Sequence, residues 1–173
     1  MLTFYLGVLS DASRRSVNKA LSDGDRIGLI PGGIAEIFEG YPKPGTHPDT
    51  EYAIVRRGFL KMAIRHGIPV IPVYCFGSTK LFRRLESKTL QRLSNLLRAS
   101  VVVFYGICGL PIPFRQKLSY IIGSPIHPPA DIHSPDCAVD EMYTLLCYEL
   151  QSLFERHKDA YGWQRKKLQL LDR

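Results

Sequence analysis

The segment Pro31-Gly32-Gly33-Ile34-Ala35-Glu36 combines residue types that could hold an anion and assist an acid–base step, and it directly follows a short apolar run. Two successive glycines let the backbone approach a ligand closely, and their N–H groups can face a negative charge. Glu36 falls one helical turn further on, where its carboxylate could orient a hydroxyl group or a histidine. An ordinary tight turn with a solvated Glu36 fits the same residues. Because no Gly-Lys-Ser/Thr follows, the segment is not a P-loop.

A second candidate is Arg56-Arg57-Gly58-Phe59, at the predicted start of a helix. The positive end of the helix dipole does not by itself favour cations there. Two arginines at this place therefore suggest a phosphate or carboxylate partner, since guanidinium groups bind such anions through paired hydrogen bonds. The alternative is a pair of surface arginines without a ligand.

A third candidate is a predicted basic amphipathic helix over 82–97, with Arg98 directly after it. Its apolar side chains are spaced to share one side, and its cations are Arg83, Arg84, Lys88 and Arg92. Such a helix could lie in a membrane interface with its cations on lipid phosphates. It could equally pack its apolar side on the protein's own core.

No general base for acyl transfer can be recognised among the histidines, although histidine is the usual base in that chemistry. The chain has five of them: His47, His66, His127, His133 and His157. None is followed by an aspartate five residues later, and the sequence contains neither His-Pro-His-Gly nor a Gly-x-Ser-x-Gly nucleophile elbow. We expect His66 and His157, which fall on apolar helix faces, to have structural roles.

Composition narrows the class of protein. The chain has 173 residues, 45% hydrophobic and 23% charged, and a net charge of +7, which fits one folded domain over 1–173 with an anionic partner. Four cysteines without a CxxC pair exclude zinc-finger spacing and predict buried thiols in a reducing compartment. No metal or cofactor site is expected. No apolar run approaches the roughly 18 residues of a spanning helix, and the start of the chain does not resemble a signal peptide.

The elements that would position these residues alternate between helix and strand, which predicts an α/β fold. Predicted helices cover 14–21 with Ser10 or Asp11 as cap, 57–66 ending at Gly67, 82–97, and 139–157 with Ser134 as cap and Pro135 at the first helical position. Predicted strands cover 26–30, 68–76, 101–105 and 118–122. The run over 68–76 is typical of a strand buried on both faces of a parallel sheet, with an edge or bulge at Pro72. Residues 39–50, with three prolines and two glycines, form a loop.

Several of these segments together resemble one family, the type-2 diacylglycerol acyltransferases. The matching segments are Ile30-Pro31-Gly32-Gly33-Ile34-Ala35-Glu36, Arg56-Arg57-Gly58-Phe59, Ile71-Pro72-Val73-Tyr74-Cys75-Phe76-Gly77, Gly123-Ser124-Pro125-Ile126, Leu153-Phe154-Glu155-Arg156-His157-Lys158 and Tyr161-Gly162-Trp163. Ser10-Asp11-Ala12-Ser13-Arg14 is similar to the opening of the family's C-terminal half. The resemblance covers essentially the whole chain, in the family's order.

The resemblance implies an enzyme of the cytosolic face of the endoplasmic reticulum membrane, which moves a fatty acyl group from acyl-CoA to diacylglycerol or a related acceptor. It implies a glycerolipid-acyltransferase-like α/β fold with a mixed or mostly parallel sheet flanked by helices. The family's Gly-Gly-x-x-Glu motif falls on Gly32, Gly33 and Glu36, and its Arg-x-Gly-Phe motif on Arg56, Gly58 and Phe59. From charge we add that Arg56 and Arg57 lie near the CoA phosphates.

Three segments of the family are absent from this sequence: an N-terminal membrane hairpin, a Tyr-Phe-Pro segment and the His-Pro-His-Gly block that supplies the proposed general base. We therefore expect the chain to represent the C-terminal part of an acyltransferase domain and to be inactive alone. A non-catalytic acyl-CoA- or lipid-binding module is the alternative, and a wax-ester or monoacylglycerol acyltransferase is the alternative within the family. No nucleic-acid motif accompanies the positive charge, so no nucleic-acid partner is expected; a homo-oligomer is left open.

Overall fold

The computed structural model describes residues 13–32, 49–84, 104–129 and 134–172, and within these ranges helices alternate with strands. The described helices are α1 (Arg14–Ser22), α2 (Gly58–His66) and α3 (Pro135–Tyr161), with 3₁₀ turns at Ser78–Lys80 and Ile107–Gly109. The described strands are β1 (Thr50–Val55), β2 (Val73–Phe76), β3 (Arg83–Arg84), β4 (Phe104–Tyr105), β5 (Ser119–Ile122) and β6 (Lys167–Asp172). The predicted α/β class is confirmed.

Helix α3 is the element that the sequence predicts best, and it is longer than expected. The Ser134 hydroxyl accepts a hydrogen bond from the Cys137 backbone N–H, and Pro135 occupies the first turn, as predicted. The helix ends at Gly162, which adopts a left-handed φ of 91°. Residues of its apolar stripe are buried, among them Val139, Met142, Leu146, Leu153 and Phe154. The stripe therefore supplies one wall of both hydrophobic clusters in the described part of the chain.

Strands β1 and β6 form a parallel pair that the sequence analysis did not predict. Thr50 pairs with Lys167 and Val55 with Asp172. Ile54 and Val55 are 1% exposed, so the carboxyl end of β1 is anchored in the core. The predicted loop over 39–50 lies mostly outside the described residues, and its last residue, Thr50, begins β1 rather than ending the loop.

Strand β2 contradicts the prediction of a doubly buried parallel strand over 68–76. It covers only Val73–Phe76 and pairs antiparallel with β5. Val73 is 49% exposed and Ile71 51% exposed, so only one side of this run faces the protein. Pro72 precedes the strand and its carbonyl accepts a hydrogen bond from Gly123. Proline therefore interrupts the pairing, which continues on its other side as a single antiparallel bridge between Val70 and Ile126.

The described strands form three pairs, and a single mixed or mostly parallel sheet that includes them stays a prediction. One pair is parallel (β1 with β6) and two are antiparallel (β2 with β5, β3 with β4). The predicted strand over 26–30 is wrong, since these residues form no described strand and Ile30 is 75% exposed. The predicted helix over 82–97 is wrong at its start, where Arg83–Arg84 form β3. Its remainder, and most of the strand predicted over 101–105, lie outside the described residues.

Helices α1 and α2 match their predicted extents closely. Ser13, rather than Ser10 or Asp11, caps α1 by accepting from the Ser16 N–H. Gly67 follows α2 with a left-handed φ of 62°, as predicted. Leu60 and Ala63 are the buried residues of α2, and they pack with Val55 and with α3 residues Val139 and Met142 in the larger hydrophobic cluster.

The prediction of buried cysteines is wrong. Cys108 and Cys137 are exposed, while Cys75 and Cys147 are partly buried, and all four are free thiols. Cys137 lies in the first turn of α3 and Cys108 in the 3₁₀ turn at Ile107–Gly109.

Candidate functional site

The predicted arginine pair lies at the carboxyl end of β1, directly before α2. Val55 closes the strand, Arg56 follows it, and Arg57 is the N-cap of α2 with φ −78° and ψ −14°. No side chain of the described residues caps this helix. The Leu60 N–H bonds to the Arg57 carbonyl, and the N–H groups before it belong to the amino end of a helix, which favours anions.

Arg57 is held by three side chains from two other elements. Its Nη1 donates to Asp140 Oδ1 of α3, and its Nη2 donates to Asp172 Oδ2 of β6 at 2.8 Å. Its guanidinium lies 4.3 Å from the centroid of the Tyr143 ring. The hydrogen bond to Asp172 raises the pKa of Arg57 above its already high ordinary value. The positive charge of Arg57 is thus met by two carboxylates of the same chain.

Tyr143 supplies the aromatic ring over which the Arg57 guanidinium lies. Burial is the main cause that raises its pKa to about 12, and hydrogen bonding with Cys147 adds to it. Burial also raises the pKa of the Cys147 thiol. Both groups are therefore neutral near pH 7, and the Tyr143 ring offers its π face to Arg57.

Arg56 differs from its neighbour. Its side chain is exposed, and no ion pair to it is found among the described residues. Gly58 is exposed too, and a Cβ added there would meet no described atom within 4 Å. Phe59 is half-buried against the larger hydrophobic cluster. The turn thus presents one exposed guanidinium and an open backbone beside a packed aromatic ring.

The glycine segment is described only in part. Gly32 is buried, whereas Gly33 and Glu36 lie outside the described residues. No hydrogen bond in the described part of the chain joins Gly32 to the turn at Arg56–Phe59. The structure therefore describes five of the seven predicted site residues, and four of these five lie in the one turn at Arg56–Phe59.

The histidines of the apolar helix faces have the structural roles that the sequence predicts. His66 Nε2 lies 3.1 Å from Asn18 Oδ1 and links α2 to α1. His157 Nδ1 lies 2.9 Å from the carbonyl oxygen of Leu153 within α3. His127 is exposed, and His47 and His133 lie outside the described residues.

A buried ionic cluster at the other end of β1 was missed by the sequence analysis. Glu51 is only 4% exposed; it forms an ion pair with Lys166, and it accepts a 2.9 Å hydrogen bond from Thr79 Oγ1. Lys166 Nζ also lies 4.7 Å from the Trp163 ring centroid. A glutamate inside an apolar strand was the available signal, since such a charge is rarely buried without a partner.

Neither a metal centre nor a membrane span is found in the described ranges. No three His, Cys, Asp or Glu side chains there are grouped as metal ligands. None of the helices α1, α2 and α3 has the length and apolar character needed to cross a bilayer.

Comparisons of this chain with known proteins agree on the family to which it is similar. The family model described as diacylglycerol acyltransferase matches residues 2–171. Human 2-acylglycerol O-acyltransferase 3 is 30% identical, over 92% of this chain and 53% of its own length. Diacylglycerol O-acyltransferase 2 of Danio rerio is 26% identical, over 90% of this chain and 46% of its own. Mouse acyl-CoA wax alcohol acyltransferase 1 is 26% identical, over 89% and 50%.

The chain spans about half the length of these curated relatives. No solved structure gives a significant match to it. The family match, in contrast, runs through β1, the arginine turn, α2, α3 and nearly all of β6. The predicted resemblance is thereby confirmed, and this chain belongs to the diacylglycerol acyltransferase family.

Proposed function

We propose that this chain is part of an O-acyltransferase that moves a fatty acyl group from acyl-CoA to diacylglycerol, and that it contributes acyl-CoA binding. The observation that carries the proposal is the exposed Arg56 between the carboxyl end of β1 and the uncapped start of α2, in a chain of the diacylglycerol acyltransferase family. CoA carries several phosphate charges, and this turn offers the groups that bind phosphate.

Two features of the turn support phosphate binding. The amino end of a helix carries a partial positive charge and unpaired N–H groups, which together attract anions. The Arg56 guanidinium adds a full charge and several N–H donors in one plane. Gly58 leaves the backbone uncovered beside them, so a phosphate could approach the first turn of α2 closely.

An apolar surface on another part of the chain would suit the lipid side of the reaction. Val73, Tyr120 and Ile122 are exposed on the β2–β5 pair, with Tyr120 66% and Ile122 70% exposed. Val73 lies directly opposite Ile122 in the antiparallel register. This surface, together with the net charge of +7, fits contact with a neutral-lipid acceptor and with the cytosolic face of the endoplasmic reticulum membrane. No cofactor beyond the acyl-CoA substrate is invoked.

Under this proposal, the chemical step needs a catalytic residue that this sequence does not contain. The sequence has no His-Pro-His-Gly block, so the general base on the acceptor hydroxyl would come from elsewhere. Glu36 would support that base, and Gly32 and Gly33 would bind substrate beside it. The chain alone would then bind acyl-CoA without turnover, which is also how the alternative, a non-catalytic acyl-CoA- or lipid-binding module, behaves.

The test has two parts. In the first part, oleoyl-CoA, kept below its own critical micelle concentration, is titrated into a solution of the chain and the heat of binding is measured. In the second part, acyl transfer is assayed in detergent with diacylglycerol, monoacylglycerol and a long-chain alcohol as acceptors. We expect saturable binding and no product. Absence of binding contradicts the proposal, and transfer by the chain alone contradicts the assignment of the base to other residues. Product from one acceptor alone would also identify the acceptor.

The role of Arg56 is tested with a matched pair of variants. Arg56→Met should weaken CoA binding about tenfold or more, since hydrogen bonds between charged groups are typically worth ~1.5–3 kcal/mol. Arg56→Lys keeps the charge and should retain most of the affinity. Dephospho-CoA, which lacks one phosphate, shows whether that phosphate is the one bound. Equal affinities for CoA in wild type and Arg56→Met would contradict the assignment.

A further inference from the structure

The two adjacent arginines have different surroundings, and this difference separates their roles. The Arg57 side chain reaches α3 through Asp140 and Tyr143, and the carboxyl end of β6 through Asp172. Asp172 lies opposite Val55 in the parallel register, so Arg57 crosses from its own turn to the end of the neighbouring strand. Arg57 thus connects three elements where β1 passes into α2.

These contacts place a carboxylate at each terminal nitrogen of the Arg57 guanidinium, where a phosphate would otherwise bind. Each terminal nitrogen of Arg57 donates to a different carboxylate, and one face of the group covers the Tyr143 ring. Two negative charges surround one positive charge, so a phosphate placed on Arg57 would face Asp140 and Asp172. The two carboxylates would repel an anion placed there.

The same contacts fix the path of the backbone at Arg56. On one side, Val55 is 1% exposed and packed in the larger hydrophobic cluster. On the other side, Arg57 is held by its carboxylates and is the N-cap of α2. Arg56 lies between two anchored residues while its own side chain is exposed. Its position and that of the first N–H groups of α2 are therefore set before any ligand arrives.

We infer that Arg57 is a positioning residue: it holds the β1–α2 turn so that Arg56 and the start of α2 face an anionic ligand, and it does not bind that ligand. The part of this inference that concerns Arg56 rests on the function proposed above. The part that concerns the turn stands on the contacts of Arg57 alone.

Lysine cannot replace arginine in this role, which gives a sharp test. A lysine ammonium keeps the charge but lacks the planar fork that reaches two carboxylates while stacking on a ring. Arg57→Lys should therefore behave like Arg57→Met. At position 56, where the positive charge contributes most of the attraction to phosphate, Arg56→Lys should retain most of the wild-type affinity. The four variants thus compare charge with geometry at neighbouring positions.

The experiment uses the full chain and two readouts. CoA affinity is measured by calorimetry, and amide hydrogen exchange is followed without ligand at Leu60 to Met62, since the Leu60 N–H is bonded to the Arg57 carbonyl at 3.1 Å. We expect Arg57→Lys and Arg57→Met to speed this exchange severalfold and to weaken CoA binding to a similar extent as each other. Arg56→Met should weaken binding and leave the exchange unchanged.

Two results would overturn the inference. If Arg57→Lys keeps wild-type affinity while Arg57→Met loses it, Arg57 binds the phosphate directly. If exchange in α2 is unchanged in both Arg57 variants, Arg57 does not hold the turn. Failure of the wild type to bind CoA, in contrast, counts against the proposed function, and the exchange measurement then still decides the role of Arg57.

Discussion

The two ends of the parallel pair β1–β6 each carry an ionic cluster, and the clusters differ mainly in their access to water. At the amino end, Glu51 and Lys166 have side chains only 5% and 18% exposed. At the carboxyl end, Arg57 and Asp172 have side chains 40% and 53% exposed. Each cluster joins β1 or its following turn to β6 or to the residue directly before it. The sequence separation is the same in both pairs, 115 residues.

This difference in exposure separates a stabilising role from a positioning role. A buried charge whose partner is removed is left without water or a counter-ion, which strongly destabilises the fold. An exposed ion pair is screened by solvent and adds little to stability, yet it can still select one geometry for the turn beside it. We therefore expect the amino end to govern folding and the carboxyl end to govern ligand binding.

The largest effect is expected for Glu51→Ala. The substitution leaves Lys166 partly buried without its carboxylate and Thr79 without its hydrogen-bond acceptor. Removing one partner of a buried ion pair typically costs ~3–5 kcal/mol of the free energy of unfolding, which urea denaturation would measure.

A double replacement provides the control for that prediction. Glu51→Leu with Lys166→Met removes both charges together, and apolar replacement of a buried pair is often close to neutral. It should recover most of the stability lost in Glu51→Ala. If Glu51→Ala instead unfolds at the same urea concentration as wild type, the amino-end cluster does not have the stabilising role assigned to it.

A smaller effect on stability is expected from Tyr143, whose ring contacts Arg57 in the carboxyl-end cluster. Its pKa is raised to about 12, mainly by burial, from about 10 in an unfolded chain. The neutral phenol is favoured in the folded state, so this contribution to stability is complete below pH 10 and is lost as the pH rises from 10 to 12. The free energy of unfolding should fall less steeply over this range in Tyr143→Phe. Identical pH profiles for the two proteins would contradict the assigned pKa.

The smallest stability effect is expected for Arg57→Met. Its pairs with Asp140 and Asp172 are exposed to solvent, so the thermal midpoint should fall by only a small fraction of the drop seen in Glu51→Ala. High salt should narrow the difference between wild type and Arg57→Met further. A loss of stability comparable to that of Glu51→Ala would mean that both ionic clusters have a stabilising role, which would contradict the distinction drawn between the two ends.

The features that the sequence predicted well are local ones. The cap at Ser134, the proline after it and the apolar stripe of α3 all depend on neighbours within the helix. Gly67 ended α2 for the same reason, because a left-handed residue after a helix requires no distant partner. Family membership was also predictable, since several short motifs occur in the expected order.

The features that were missed or wrong depend on distant partners. The pairing of β1 with β6 and the contacts of Arg57 with Asp140 and Asp172, 83 and 115 residues away, leave no local signal. The apolar run over 68–76 is typical of a strand buried on both faces, but its only partner among the described strands is β5, and Val73 is exposed. Of the candidate site, the sequence indicated the arginine turn but not which arginine faces solvent.

Hydrogen exchange with and without CoA tests most directly whether the two ends of the β1–β6 pair have different roles. We predict that CoA slows exchange of the backbone amides from Arg56 to Leu60, at the carboxyl end of β1, and leaves those from Lys166 to Leu168 unchanged at the amino end of β6. Protection confined to the Lys166–Leu168 segment, or no protection at Arg56 to Leu60 at saturating CoA, would contradict the assignment of the ligand site to the arginine turn.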